Sequence, residues 1–176
     1  MFRRFYPDRR EPSSWEIDYG ALYEEGFRGV IFDIDNTLSV HGGPPPEKTR
    51  LLFERLRELG FSTCLLSNNK EPRVRPFAEA VASPYIAKAG KPSVRGYEQA
   101  MVCMGTKRSQ TVFVGDQLFT DIYGARRAGI QSILVDPIDP HEEIQIVFKR
   151  YLERIVLFFY ARRKIPIKSA RFAKKG

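Results

Sequence analysis

The chain has 176 residues, of which 43% are hydrophobic and 12% aromatic, so it is long enough for one domain with a sizeable core. Its formal charge of +8 lies mostly in residues 141–176, where ten Lys or Arg face three Glu, and this favours an acidic partner such as anionic phospholipid or nucleic acid. We expect neither an integral membrane protein nor a secreted one, because no stretch approaches the roughly 20 apolar residues that span a bilayer and residues 1–10 lack the apolar run of a signal peptide. A cytoplasmic protein, soluble or peripheral on the inner face of the membrane, is predicted.

The predicted elements alternate between strands and helices. An irregular lead-in carries a short helix near 18–25, and strands then follow at 28–33, 61–66, 84–87, 111–114 and 131–135. The helices between them are expected to start at Pro46, near 72, at Lys91 and after Asp116. This alternation predicts an α/β fold, a three-layer Rossmann-like parallel sheet of about five strands with helices on both faces.

Two aspartates end the first predicted strand. Asp33 and Asp35 follow a short apolar run, and the alternation of side chains along a strand puts both on the same side of the backbone. Two carboxylates so close repel each other unless a cation lies between them or one takes up a proton. A functional site therefore explains this pair better than a surface turn does.

Polar residues also end the second and fourth predicted strands. Ser67 and Asn68 follow one of them and Asp116 the other, so all three strands carry polar groups to the edge where parallel sheets bind ligands. The aspartates are hard oxygen ligands suited to Mg²⁺, and Lys91 adds a cation. Such a set can receive a phosphoryl group, and an aspartate can attack it as a nucleophile.

Four ordered motifs of this sequence resemble those of the haloacid dehalogenase (HAD) superfamily. They are Asp33-Ile34-Asp35-Asn36-Thr37-Leu38, Ser67-Asn68, Lys91-Pro92, and Gly115-Asp116 with Asp121. The resemblance runs from about residue 28 to residue 136. An aspartate at position 35 favours the phosphatases of this superfamily over the dehalogenases, which lack that acid.

The resemblance also implies a role for each residue. Asp33 would be the nucleophile, and Asp35 the general acid for the leaving oxygen and then the base for water. Mg²⁺ would be held by the carboxylates of Asp33 and Asp116 and by the backbone carbonyl of Asp35. Asp121 would order the waters of the metal or Lys91. Three residues would hold the phosphoryl oxygens: Ser67, Asn68 and Lys91.

The spacing between the motifs predicts that the site has no cap domain. Only 28 residues separate Leu38 from Ser67, and 23 separate Ser67 from Lys91, so each gap holds one helix and little else. An open site needs a large substrate to exclude water, which points to a macromolecule or a membrane lipid.

More narrowly, the chain resembles the YqeG-type phosphatases, which are akin to phosphatidylglycerophosphate phosphatases. The likeness rests on four segments: residues 35–38, Asn68-Asn69, Arg73-Val74-Arg75-Pro76-Phe77 and residues 89–92. It implies dephosphorylation of a phosphatidylglycerol phosphate head group. Two alternatives stay open, a phosphatase of phosphoproteins or other large substrates and a binding protein of RNA or the ribosome.

Three segments are expected: a lead-in over 1–27 that packs on the core, the phosphatase core over 28–138, and a basic amphipathic helix with a tail over 139–176. Asp139 is expected to cap that helix, with Pro140 in the first turn and Glu142 three residues after the cap. Ile155–Tyr160 is wholly apolar and has basic flanks. The helix either packs on the core or lies in an anionic membrane interface. The tail could equally bind RNA through Lys168, Arg171, Lys174 and Lys175.

Six other residues are less informative. Cys64 and Cys103 lack metal-ligand spacing and are predicted to be reduced core residues. Arg73 and Arg75 could contact a second phosphate or acidic neighbours, or lie in solvent. His41, in a loop next to glycines, is expected to be incidental, and His141 a helix-start residue.

Overall fold

The computed structural model describes residues 2–139 and 144–161, and the side chains of 3–139 and 152–161. Within these residues, six strands form one sheet in the order β1-β6-β5-β2-β3-β4, with every neighbouring pair parallel. The strands are β1 (Arg9–Glu11), β2 (Gly29–Phe32), β3 (Ser62–Leu66), β4 (Tyr85–Ile86), β5 (Thr111–Gly115) and β6 (Gln131–Val135). The predicted parallel α/β sheet is confirmed, with one strand more than expected.

Helices cover both faces of the sheet. The α-helices in the described ranges are α1 (Tyr19–Glu24), α2 (Glu47–Glu58), α3 (Glu71–Ala80), α4 (Val94–Met104), α5 (Tyr123–Ala128) and α6 (Ile144–Ala161). Side chains alternate along β2, so Val30 and Phe32 join one core cluster with α1, α2 and α3, whereas Ile31 joins another with α4 and α5. Because β2 is buried on both faces, its sequence is a continuous apolar run rather than an alternating one.

The additional strand, β1, lies in the lead-in that was predicted to be irregular. It pairs with β6 at the edge of the sheet, and the Asp8 carboxylate beside it accepts hydrogen bonds from the backbone and hydroxyl of Ser132, at 2.9 and 3.0 Å. The sequence of β1 is Arg-Arg-Glu, and a short, charged edge strand has no hydrophobic alternation by which it could be detected.

The prediction that Cys103 is a core residue is wrong. Cys64 is buried in β3, as expected, but Cys103 is exposed on α4. The buried face of α4 includes Tyr97, Ala100, Met101 and Met104, and at 3.6 residues per turn position 103 falls outside it.

Helix α6 packs on the core through one face. Val156 is buried against a cluster that includes Tyr6, Leu118 and Leu134, and Glu153 is buried beside it. Of the two alternatives for this helix, packing on the core therefore applies to this face. A second face leaves large apolar side chains between 39% and 50% exposed: Leu152, Ile155, Phe158 and Phe159.

The predicted start of this helix, with Pro140, His141 and Glu142, lies outside the described residues, as do the four basic residues of the tail. Among the described residues, the helices are too short or too polar to cross a bilayer.

The strand order reverses between β2 and β5. From β2 the chain moves outward to β3 and β4 on one side, and it then returns to β5 and β6 on the other side. In such sheets the crevice at the carboxyl ends of the two strands at the reversal is where ligands bind. Asp33 follows β2 and Asp116 follows β5, so the fold brings both aspartates to this crevice.

Candidate active site

A buried lysine links two aspartates at the centre of the crevice. The Nζ atom of Lys91 lies 2.5 Å from Asp33 Oδ1 and 2.8 Å from Asp121 Oδ1. Asp33 is fixed next to β5 because its backbone N–H donates to the carbonyl of Val114 at 2.9 Å. Lys91 is only 8% exposed, so its charge is removed from water. The two carboxylates compensate that buried charge.

Three buried carboxylates converge around this lysine. Oxygens of Asp33, Asp116 and Asp121 all lie within 4.8 Å of one another, and the Thr37 hydroxyl donates to Asp116 Oδ1 at 3.3 Å. Buried like charges at such distances repel, and the single ammonium of Lys91 cannot balance three carboxylates. A divalent cation that prefers oxygen ligands would balance the remaining charge, so this donor set fits such a metal.

The predicted metal ligands and this cluster overlap in part. Asp33 and Asp116 belong to the cluster, and Asp121 joins them, whereas the carboxylate of Asp35 does not. The sequence-based assignment for Asp35 concerned its backbone carbonyl, and that assignment stays a prediction.

The pKa of Asp33 reflects this crowding. Burial raises it most, Lys91 lowers it, and the neighbouring carboxylates of Asp121 and Asp35 raise it again, which brings the pKa to about 7. The pKa of the Lys91 ammonium is raised by Asp121 and Asp33, in spite of its burial, so the lysine stays charged. Without a metal, Asp33 therefore takes up a proton near neutral pH.

Asp121 reaches the site from an unusual turn. The chain forms a short π-helical turn over Leu118–Ile122 before α5, and Asp121 Oδ2 accepts a hydrogen bond from the Gln117 N–H at 3.1 Å. The buried Tyr97 hydroxyl donates to the Asp121 carbonyl at 3.1 Å. Gly115 allows the close approach, since a Cβ atom there would lie 2.6 Å from Asp121 Oδ2.

The loop after β3 contributes Ser67 and Asn68. The side-chain amide of Asn68 pairs with the backbone of Lys91, accepting from its N–H at 2.7 Å and donating to its carbonyl at 3.2 Å. The Ser67 hydroxyl oxygen accepts from the Asn69 N–H at 3.1 Å. Asn68 thus connects the second motif to the third, and both residues line the same cleft as Asp33.

The carboxylate of Asp35 turns away from the acidic cluster. Its Oδ1 accepts from the Gly42 N–H at 2.9 Å and from Arg73 Nη2 at 2.8 Å, and its Oδ2 accepts from Asn69 Nδ2 at 2.5 Å. Of the options left open for Arg73, the structure therefore shows contact with an acidic neighbour. Arg75 is exposed and pairs with Glu79 at 2.9 Å.

The candidate site opens into a cleft of about 160 Å³. Five of the seven predicted site residues line it: Asp33, Asp35, Ser67, Asn68 and Lys91. Asp116 and Asp121 are not among the lining residues and are buried in the carboxylate cluster. Sequence reasoning missed Asn69, Gln117 and Thr120 as lining residues, although each follows a predicted motif within a few positions. His41, which was expected to be incidental, also lines the cleft.

The chain is similar to known hydrolases in sequence and in fold. A family model described as HAD-hydrolase-like matches residues 88–137. The protein named "Probable phosphatase YqeG" from Bacillus subtilis is 36% identical over 160 residues, which cover 89% of this chain and 92% of that protein. A HAD family hydrolase structure from Streptomyces avermitilis matches with a TM-score of 0.52 at 19% identity, over 65% of this chain and 76% of the other, and this shows the fold alone.

Two further relatives are longer than this chain. Phosphatidylglycerophosphate phosphatase 1 from Chlamydomonas reinhardtii is 29% identical over 84% of this chain and 59% of its own length. The Arabidopsis thaliana protein of the same name is 30% identical over 80% of this chain and 43% of its own length. The chain thus spans about half the length of these two relatives.

The parallel sheet, the acidic crevice at its strand reversal and the family match define a HAD-like hydrolase. The match to YqeG, at 36% identity over nearly the whole of both chains, shows the family within that class. The protein belongs to the YqeG family of HAD-type phosphatases. The predicted family resemblance is confirmed.

Proposed function

We propose that this protein is a Mg²⁺-dependent phosphomonoester hydrolase that acts through an aspartyl-phosphate on Asp33. The observation that carries the proposal is the placement of Asp33: it stands at the strand reversal, its carboxylate bonded to Lys91 and within 4.8 Å of two further carboxylates. A nucleophile in this position faces both a metal site and the open cleft.

In the first step, a carboxylate oxygen of Asp33 attacks the phosphorus of the substrate. The bond from phosphorus to the ester oxygen breaks, and Asp35, which is protonated at the start of this step, gives that proton to the departing alcohol. Lys91, Ser67 and the backbone amides near it stabilise the negative charge on the phosphoryl oxygens. Asn68 keeps Lys91 in place through its two hydrogen bonds to the Lys91 backbone.

In the second step, water attacks the phosphorus of the aspartyl-phosphate. Asp35 takes the proton from that water, the bond between phosphorus and Asp33 breaks, and inorganic phosphate leaves. Asp33, Asp116 and the Asp35 carbonyl would hold Mg²⁺, with Asp121 beside them, and the bound cation supplies positive charge that neutralises the phosphoryl oxygens during transfer. Asp33 must be ionised to attack, and the metal charge favours that form.

The proposed substrate is a phosphatidylglycerophosphate in a membrane surface. The connection from β2 to β3 carries α2, and the connection from β3 to β4 carries α3, so the described core has no cap over its cleft. Water must then be excluded by the substrate and its surroundings. Relatives named phosphatidylglycerophosphate phosphatase support this choice.

Helix α6 supplies a membrane contact in this proposal. Its exposed face presents Leu152, Ile155, Phe158 and Phe159, and the surrounding sequence 141–176 carries a net charge of +7. Each basic residue near an anionic surface contributes about 1 kcal/mol to binding. The helix is anchored beside the cleft, because Glu153 Oε1 accepts from the Leu118 N–H at 2.8 Å and Leu118 follows the cleft residue Gln117.

The substrate is tested by phosphate release from phosphatidylglycerophosphate in anionic vesicles, compared with a phosphopeptide panel and with Asp33→Asn as control. We expect Mg²⁺-dependent release of phosphate from the lipid and none from the phosphopeptides. Activity on phosphopeptides without activity on lipid would contradict the lipid substrate but keep the chemistry. Salt-sensitive RNA binding that survives Asp33→Asn, with no phosphate release, would favour a binding protein.

The membrane contact is tested by vesicle cosedimentation. We expect Phe158→Gln with Phe159→Gln to weaken binding to anionic vesicles, whereas Val102→Gln is a matched control, since Val102 is an 82% exposed apolar residue on α4. Equal binding of all three proteins would contradict a role for α6.

A further inference from the structure

Three segments of the chain converge on the carboxylate of Asp35. Gly42 belongs to the loop after β2, Asn69 to the loop after β3, and Arg73 to the first turns of α3, and each donates a hydrogen bond to this one side chain. Both carboxylate oxygens are engaged, and the side chain is only 14% exposed. Asp35 is therefore held in one orientation at the wall of the cleft.

The two side chains that hold Asp35 are themselves fixed. Arg73 Nη2 also donates to the Gly43 carbonyl at 2.9 Å, and its guanidinium lies 5.5 Å from the centroid of the Phe77 ring. The backbone of Asn69 accepts from the Lys88 N–H at 2.8 Å and donates to the Ser67 hydroxyl. These contacts restrict Arg73 and Asn69, and through them they restrict the orientation of Asp35. A group that transfers a proton needs such a fixed orientation.

Arg73 contacts Asp35 and is not one of the residues that line the cleft, whereas Asp35 and Asn69 both line it. Arg75 offers a contrast, since it lies two positions further along the same helix, 62% exposed, and bonds only within the helix to Glu79 among the contacts described for it.

We propose that Arg73 is a positioning residue, assisted by Asn69, that aims the carboxyl of Asp35 at the leaving oxygen of the substrate. This inference rests on the proposed function, because it assumes that Asp35 protonates the departing alcohol. Neither Arg73 nor Asn69 transfers a proton. Both restrict the rotation of Asp35, so proton transfer does not wait for a rare side-chain conformation.

The test uses the dependence of the rate on the leaving group. Phosphatidylglycerophosphate in vesicles is an alkyl monophosphate and needs protonation of its leaving oxygen, whereas the aryl ester p-nitrophenyl phosphate needs little. We expect Arg73→Met to lower kcat/KM for the alkyl ester by roughly 10- to 100-fold and for the aryl ester by less than about threefold. Arg75→Met, the matched control, should leave both values unchanged.

A double variant separates positioning from a purely structural role. If Arg73 acts through Asp35, then Arg73→Met should cause no further loss on the alkyl ester in an Asp35→Asn background. Arg73→Lys, which keeps the positive charge and a donor nitrogen, should recover part of the activity. Should Arg73→Met fail to fold, Asn69→Ala is expected to show the same selective loss on the alkyl ester.

Equal losses on both esters, or additive losses in the double variant, would overturn the inference. Different results would show that the proposed function itself is wrong. Either the wild-type protein would release no phosphate from either ester, or Asp33→Asn would be as active as the wild type.

Discussion

Replacing Lys91 by Met is the sharpest test of how the acidic cluster is held together. Methionine fills much the same space but removes the charge that lies 2.5 Å from Asp33 and 2.8 Å from Asp121. Leaving a buried charge without its partner costs about 3–5 kcal/mol. Because both carboxylates are buried, water cannot replace the lysine, and we expect the free energy of unfolding at pH 8 to fall by about this amount.

The loss should depend on pH in a defined direction. The pKa of Asp33 is already raised to about 7 beside Lys91, and removal of the lysine raises it further. A carboxyl whose folded-state pKa is raised destabilises the fold as pH rises from its ordinary range, near 4, through the folded-state pKa. At pH 6 the variant can protonate Asp33, so its loss of stability should be smaller than at pH 8.

Urea unfolding at both pH values, with a chelator present, measures these differences. Lys107→Met is a suitable control, since Lys107 is exposed and precedes β5, at the opposite end of the strands from the site. Mg²⁺ should restore part of the stability of Lys91→Met at pH 8, because it returns positive charge to the cluster. A loss below about 1 kcal/mol at pH 8, or the same loss at both pH values, would refute the reasoning.

Three further predictions follow from the described side chains. Because the pKa of Asp33 is raised to about 7, Mg²⁺ binding should weaken up to tenfold for each pH unit below 7. Binding should also release a proton, which calorimetry measures, and an affinity independent of pH would contradict this. Burial raises the pKa of Cys64 to about 12, so a thiol reagent should modify the exposed Cys103 in the native protein and Cys64 only after unfolding; modification of both at similar rates would contradict the buried position. Gly115→Ala should displace Asp121, costing about 1–3 kcal/mol of stability and weakening Mg²⁺ binding; unchanged metal affinity would show that the 2.6 Å approach is unimportant.

The centre of the site is predictable from sequence for a simple geometric reason. Parallel strands place their carboxyl ends at one edge, so residues that follow apolar runs, such as Asp33 and Asp116, must approach one another. Lys91 is not at a strand end, and only its motif spacing identifies it. Its two ion pairs depend on how α4 and the π-helical turn meet the sheet.

The support of the site could not be predicted in the same way. Arg73 reaches Asp35, 38 residues away in sequence, because α3 packs against the loop after β2. From sequence alone its charge could equally point to solvent, as that of Arg75 does. The edge strand β1 has no apolar pattern by which it could be predicted, and the exposure of Cys103 depends on its position around α4.

The helix at the end of the described chain shows a further limit. An apolar stripe predicts that a helix buries one face, and Val156 does lie in the core. Helix α6, however, carries more apolar residues than that face needs, and Phe158 and Phe159 remain half exposed. Which of its apolar side chains are buried depends on how the helix packs, and composition does not determine this.

The central claim, that Asp33 forms an aspartyl-phosphate, is tested most directly by reductive trapping during turnover. Borohydride reduces an acyl phosphate to an alcohol and would convert the phosphorylated Asp33 to homoserine, which peptide mass spectrometry locates. We predict homoserine at position 33 when Mg²⁺ and a phosphomonoester are both present, and none when either is omitted. Phosphate release without modification of Asp33, or trapping at another carboxylate, would contradict the account.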